Sequence, residues 1–402
     1  MFLTPEEKIV FLRKKYNITQ KELSSSNLTR QFIGMIEIGK RGLTYKTAKI
    51  VAENFNNILK IKNSETIVTP EFLLETKEEQ ALKRLEVVID SRQVDSNLEI
   101  EICFTELNDY NKKKISILLG ILYFELKQII FSKKYLEIAL TLHKPLENLE
   151  ILLYLGRIFY YEDNFLNFIE LITPNLNKLL KNNIDISTKI LYNYAYSLYK
   201  IKDVQTSNKI LLTLLKRKNE SEINFKINNL IAIISYSELN KINKAIKSYK
   251  KLFENSTVEE KLVIYGNHLE IFLINKSKVD FDEVKNNILK ILGFYETSTD
   301  HKFKLYILIA KCYLALNNQK MAYYFYMLGL KLPNNNLISF DIKYEVTIDI
   351  LKNISLDEIQ MNEVIEIFLE FFNLNKNYKM ALAFIKNLKS EDRKLDILSK
   401  LE

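Results

Sequence analysis

The chain has 402 residues, 47% of them hydrophobic and 27% charged, with 8 Gly, 5 Pro and a net charge of +8. That length exceeds a single core of ordinary size, and the apolar content excludes a disordered chain. So few turn residues argue against a strand-rich fold and for long helices joined by short loops.

In chain order, residues 4–60 read as a run of short helices. Thr4 caps the first, with Pro5 at its first helical position and Glu7 three residues after the cap. Ile9, Val10, Leu12 and Arg13 follow at helical spacing. Thr19 and Glu22 form a second capping box ahead of Leu23. Thr29 caps a third helix, whose apolar positions Ile33 and Ile36 point one way and which Gly39 ends. A fourth helix starts near Thr44 and carries Ala48, Val51, Ala52 and Phe55. Residues 1–65 hold twelve Lys and Arg against six Glu, so most of the excess positive charge lies in this one small segment. Such a local excess is an electrostatic footprint for nucleic acid, beside the plainer reading of a solvated basic surface.

The stretch from Leu12 to Leu23, with Ile18-Thr19-Gln20-Lys21-Glu22-Leu23 at its end, and the stretch Thr29-Arg30-Gln31-Phe32-Ile33-Gly34-Met35-Ile36-Glu37-Ile38-Gly39-Lys40-Arg41 resemble the phage-repressor (Xre/Cro) type helix-turn-helix over about 55 residues. Two features depart from that pattern: the turn between Leu23 and Thr29 is one residue shorter, and Ser24 stands where alanine is usual. The resemblance implies binding of double-stranded DNA, with the third helix in the major groove. Carried over, Gln20, Thr29, Arg30, Gln31 and Gly34 face the bases, Arg30 suited to guanine and Gln31 to adenine. Gly34 permits close backbone approach, and Lys14, Lys15, Lys40, Arg41 and Lys46 are candidate phosphate contacts. Against these stand plainer readings: Arg30 as a surface charge, and Glu37 as a group that holds the domain together.

Residues 63–69 are polar and aperiodic and are expected to form a linker. Thr69-Pro70-Glu71 then starts a new helix. The division expected is a head at 1–65 and a helical-repeat domain at 66–402. Small or apolar residues recur at Gly120, Gly156, Ala195, Ile233 and Ala310, in steps of 36, 39, 38 and 77 residues. Twelve residues after each comes a second contact point, at Ser132, Phe168, Ser207, Ala245 and Ala322. This spacing predicts antiparallel helical hairpins. The clearest unit runs over 305–333, with Tyr313, Tyr326 and a closing Pro333, and resembles a tetratricopeptide (TPR) repeat. A degenerate unit is expected near 369–388, centred on Leu369 and Ala381, while the tract 260–300 fits the spacing poorly. The fold expected is therefore all-α: a helix-turn-helix domain followed by a right-handed TPR-like α-solenoid, whose concave face suits an extended peptide.

A repressor-type head on a degenerate TPR array resembles the RRNPP family of peptide-responsive regulators of Gram-positive bacteria and their phages, with the phage arbitrium receptors a related possibility. The resemblance implies a homodimer and a short signalling peptide that changes DNA binding. Peptide-binding candidates are polar residues on the first helix of each hairpin: Arg157, Asn193, Asn229, Asn267 and Lys311, with Tyr196 beside them. An Asn amide both donates to and accepts from a peptide backbone, and a Lys or Arg takes a carboxylate. The plainer readings are surface or capping residues for each Asn, and packing for the aromatic stripe Tyr192, Tyr194, Tyr196 and Tyr199. A pure scaffold that recruits a protein partner is the alternative function. No enzyme motif and no cofactor site stands out: Cys103 and Cys312 lie far apart, and His143, His268 and His301 lack metal spacing. The acidic start after Met1 and apolar runs no longer than 115–124 lead us to expect a cytoplasmic protein without a membrane span.

Overall fold

The computed structural model describes residues 2–144, 146–333 and 340–401. Among them the secondary structure is helical, apart from an isolated bridge between Ser25 and Leu28. The chain forms two compact units, Met1–Asn193 and Tyr194–Glu402.

The first unit opens with α1 (Pro5–Lys15), α2 (Gln20–Leu23), α3 (Arg30–Glu37), α4 (Tyr45–Ile61) and α5 (Pro70–Leu74). Each begins the same way. Thr4, Thr19, Thr29, Thr44 and Thr69 sit in extended backbone, and each hydroxyl accepts the N–H three residues on. A cap of this kind stabilises a helix by about 1 kcal/mol, which matters for α2, only four residues long. Helix α3 ends where Gly39 takes φ +72°. Gly39 N–H reaches Ile36 O at 2.8 Å and Lys40 N–H reaches Met35 O at 2.9 Å, the paired bonds of a left-handed helix stop.

These five helices share one core, with Leu12, Ile33, Ile36 and Phe55 at its centre. Val68 and Leu73 are buried in the same core, so the head includes α5. The segment 63–69 is not a free tether. The Asn56 amide brackets Val68, donating to its carbonyl and accepting from its N–H at 2.8 Å each. Tyr16 hydroxyl donates to Thr66 at 2.8 Å.

The unit continues through α6 (Lys77–Ser91), α7 (Asn97–Thr105), α8 (Asp109–Glu125), α9 (Ile129–Leu142), α10 (Leu149–Tyr161), α11 (Phe165–Ile172) and α12 (Leu176–Lys181). Helix α13 (Asp185–Lys200) runs across the division. In hairpin α8–α9 the backbones approach because Gly120 has no side chain: a Cβ there would lie 2.6 Å from Leu136 Cγ. Ser132 Oγ uses that closeness to donate to Gly120 O at 2.7 Å. In α10–α11 the Phe168 ring fills the space beside Gly156, 2.7 Å from where a Cβ would stand.

The second unit carries α14 (Val204–Leu214), α15 (Ser221–Ser237), α16 (Ile242–Phe253), α17 (Val258–Ile274), α18 (Phe281–Phe294), α19 (Thr299–Ala315), α20 (Gln319–Leu330), α21 (Phe340–Asn353), α22 (Glu358–Asn375), α23 (Tyr378–Lys386) and α24 (Glu391–Leu401). Ser207 Oγ donates to Ala195 O at 2.6 Å, repeating the Ser132–Gly120 bond. Ala310 and Ala322 are both fully buried where α19 meets α20. The chain is thus all-α, with TPR-like helical hairpins following the head.

Two local expectations are corrected. Ile233 is half-buried, and the fully buried small residue of α15 is Ala232, one position earlier. The tract 260–300 does form a hairpin, α17–α18, but closes it with stacked Phe272 and Phe281 (centroids 5.3 Å apart) in place of small residues. The expected unit at 369–388 is the pair α22–α23, where Phe368 and Phe384 stack at 3.8 Å over buried Ala381.

Gly120→Val should lower the unfolding free energy by about 2–3 kcal/mol, because the added side chain overlaps Leu136 in a packed hairpin. Gly293→Ala, on α18 with nothing within 4 Å, should be neutral or slightly stabilising. Urea titrations of both variants check the contrast, and equal losses would refute the close-approach argument.

Candidate functional site

In the head, Arg30, Gln31 and Gly34 share the outward face of α3, with Ile33 and Ile36 on the buried side. Arg30 and Gln31 are exposed; Thr29 is exposed too, its hydroxyl engaged in the cap. Nothing inside the head requires glycine at position 34, since a Cβ there would meet the Gln20 amide at 3.8 Å, an ordinary contact. What the glycine leaves is a low surface between α2 and α3. Lys14, Lys15, Lys40, Arg41 and Lys46 are all exposed, and no ion pair among the described residues engages them.

The face is held from behind by Glu37, whose carboxylate is nearly buried. It accepts Arg13 Nε at 2.5 Å, Arg13 Nη2 at 3.0 Å and Gln20 Nε2 at 2.7 Å. Arg13 also donates to Ile18 O at 2.9 Å. Helices α1, α2 and α3 are thereby joined through one charge-assisted network, the strong class of hydrogen bond. Gln20, expected to face bases, has its amide nitrogen engaged by Glu37. The short turn between Leu23 and Thr29 is closed by paired backbone bonds between Ser25 and Leu28 and held by Asn54, whose Nδ2 donates to Leu23 O at 2.9 Å.

The head is fastened to α6 by residues at its own start. Lys8 is 1% exposed, a rare state for lysine. Its ammonium donates to Phe72 O at 2.6 Å, Glu75 O at 2.8 Å and the Glu75 carboxylate at 3.2 Å, so all three donors are met. Burial pulls the Lys8 pKa down, and Glu75 works against that. Gln80 on α6 brackets Leu3, donating to its carbonyl at 2.7 Å and accepting its N–H at 3.3 Å. Phe2 is buried against Ala81, Leu85 and Ile100, under the Arg84 guanidinium.

In the second unit, α15 and α17 are joined by two side-chain bonds. Asn267 Nδ2 donates to Asn229 Oδ1 at 2.8 Å, and Tyr236 hydroxyl donates to Glu270 Oε2 at 2.5 Å. Asn267 is 8% exposed, so its pairing meets a real need. The bond leaves Asn267 Oδ1 as an acceptor and Asn229 Nδ2 as a donor. Lys311 is exposed and lines a groove of about 640 Å³ over α17, α19, α21 and α23. Tyr196 is half-buried, its ring 6.3 Å from Tyr199. In the first unit, Arg157 is exposed with its guanidinium 5.0 Å from the Tyr154 ring centroid, and Asn193 is half-buried.

Burial favours the neutral forms of two titratable groups in the second unit, His268 and Cys312. Burial, helped by Lys250, pushes His268 down to about 4, and burial pushes the Cys312 thiol up to about 12. Among the described residues no three His, Cys, Asp or Glu side chains are placed to hold a metal ion, and no helix is long and apolar enough to cross a membrane.

The class defined by the structure is thus a five-helix head joined to TPR-like hairpins. No family model and no curated protein matches the sequence. Solved structures similar to the chain include the following two. One is Bacillus thuringiensis PlcR in complex with the peptide PapR7 and DNA: 14% identity, 69% of this chain and 99% of that one covered, TM-score 0.30. The other is a Rap protein complexed with Competence and Sporulation Factor: 13% identity, 99% of each chain covered, TM-score 0.43.

The Lys8–Glu75 contact carries a pH dependence. Burial works to raise the Glu75 carboxyl, but hydrogen bonds from Lys83 and Lys8 outweigh it and hold its pKa below the ordinary value. A carboxyl depressed by folding contributes stability above its unfolded pKa, and that contribution is lost as pH falls through the folded one. Glu75→Gln should therefore cost about 1–3 kcal/mol near neutral pH, with the difference from wild type shrinking as pH falls below about 4. Urea titrations over that range check it; a difference independent of pH would refute the assignment.

Proposed function

We propose that the protein is a sequence-specific, peptide-controlled DNA-binding regulator acting as a homodimer. The observation that carries the DNA reading is the outward face of α3. Arg30 and Gln31 are exposed, with half-buried Gly34 on the same face, on a helix capped at both ends and locked by Glu37; around them lie exposed cations that, among the described residues, join no ion pair. A rigid helix presenting Arg and Gln suits bidentate base recognition, and the surrounding cations suit phosphates.

A single head makes few base contacts, so useful affinity comes from two heads on two half-sites. The dimer contact is assigned to the last three helices, where Ile359, Leu374, Tyr378, Leu382, Leu395 and Leu398 are exposed. The expected result is sedimentation of the full chain at twice 47.4 kDa. Arg30→Ala and Gln31→Ala should each weaken binding to a selected operator by about 1–3 kcal/mol and relax its base preference. Lys40→Ala should weaken all sequences alike and flatten the salt slope by about one unit. Operators selected from random duplexes and measured by fluorescence anisotropy give the test; unchanged affinity and preference in the Arg30 and Gln31 variants would remove α3 from the interface.

For the ligand, the Asn229–Asn267 pair offers one donor and one acceptor side by side, the pattern an extended peptide backbone presents in reverse. A random hexapeptide library passed over the immobilised full chain should leave a retained set, and Asn229→Ala should lose most of it. Retention unchanged in that variant would exclude the pair, and an empty retained fraction would refute peptide binding. By linkage, a retained peptide alters DNA affinity by the factor by which DNA alters its own.

A further inference from the structure

The groove lined by Lys311 has a charge arrangement that the packing of the hairpins does not explain. Its floor is apolar, from Phe303, Ile307, Val346 and Met380. Its charged lining is three lysines, Lys304, Lys311 and Lys352, and three carboxylates, Glu270, Glu345 and Asp349, with Asn387 as a neutral polar neighbour. Among the described residues, no ion pair joins any of these six to another; Lys304 pairs with Asp300, which is not in the lining.

Two of the carboxylates are held in place by neutral groups. Glu270 accepts the hydroxyl of buried Tyr236 at 2.5 Å. Asp349 accepts the hydroxyl of fully buried Tyr326 at 2.5 Å and the Asn353 amide at 2.8 Å. A tyrosine or amide donor orients a carboxylate without cancelling its charge, so each anion keeps its appetite for a cation. Both are short side chains fixed from behind and only partly exposed. The lysines opposite are long and solvent-exposed, and lose rotamer freedom when they pair. A cation brought by a ligand meets acceptors already ordered, which lowers the ordering cost of binding. At about 640 Å³, the groove falls within the usual ~300–1,000 Å³ of small-ligand sites.

We propose that this groove selects a peptide carrying a cationic group, seated between the Tyr-held carboxylates Glu270 and Asp349, while Lys311 and Lys352 take the peptide's carboxylate. The inference rests on the peptide-binding reading and specifies its charge. The cation is a Lys or Arg side chain or the peptide's N-terminal ammonium.

The experiment uses two random hexapeptide libraries, one with free and one with acetylated N-termini, passed over the immobilised full chain and read by mass spectrometry. Wild type should retain peptides enriched at least tenfold in Lys or Arg at one position or, where the ammonium is the cation, lose at least tenfold in retention on acetylation. Glu270→Gln and Asp349→Asn keep the tyrosine contacts and should each abolish that preference while still retaining neutral peptides; thermal melting confirms that both are folded. Retention by wild type with no basic preference and no effect of acetylation overturns the charge assignment and leaves peptide binding standing. A preference that persists in both variants moves the cation's seat elsewhere and also overturns it. No retention from either library refutes peptide binding itself, and the inference with it.

Discussion

A single buried ammonium fixes how the head meets the hairpins behind it. Removing a lysine charge from water costs several kcal/mol unless every donor finds a partner. Lys8 meets that condition only where α1 lies against the carbonyls at the end of α5 and the carboxylate of Glu75. Those partners lie at the end of α5 and just ahead of α6, so one side chain ties α1 to the turn between them. Leu3 on Gln80 and Phe2 under Arg84 extend the same contact along the chain. The head is thus part of the first compact unit rather than a bead on a string.

Much of the head was legible because its signals are local. Five threonine caps and one glycine stop are each decided within four residues, so sequence alone places every helix start up to α5. What was not legible depends on partners far along the chain. Asn56 holding Val68 turns an aperiodic polar stretch into fixed structure. Asn54 steadies the shortened turn from thirty-one residues away. The hairpins could be read where small residues mark close approach, as at Gly120 and Ala310. The α17–α18 pair escaped because aromatic stacking does the same work with the opposite residue sizes.

The candidate site was legible to the same degree. Exposure of Arg30 and Gln31 follows from helical periodicity alone. The contact between Asn229 and Asn267 joins residues thirty-eight apart, and the sequence offers each only as a polar position on a first helix. Glu270 and Asp349 gave no signal, since a surface carboxylate is ordinary until a tyrosine hydroxyl from another helix is found donating to it. Their partners, Tyr236 and Tyr326, are both buried aromatics of the core. The polar tip of such a ring carries a second role that periodicity cannot show.

The Glu37 network has a thermodynamic corollary. Gln20 would ordinarily sample many rotamers in water, and binding DNA would have to freeze them. Here its amide is already frozen against Glu37, which is itself clamped by Arg13. The conformational entropy of that side chain is given up when the head folds, so on the DNA-binding reading an encounter with a duplex would inherit an ordered surface. On the DNA-binding reading, loosening Glu37 would then register as a more unfavourable binding entropy even at a base pair that neither Glu37 nor Arg13 touches.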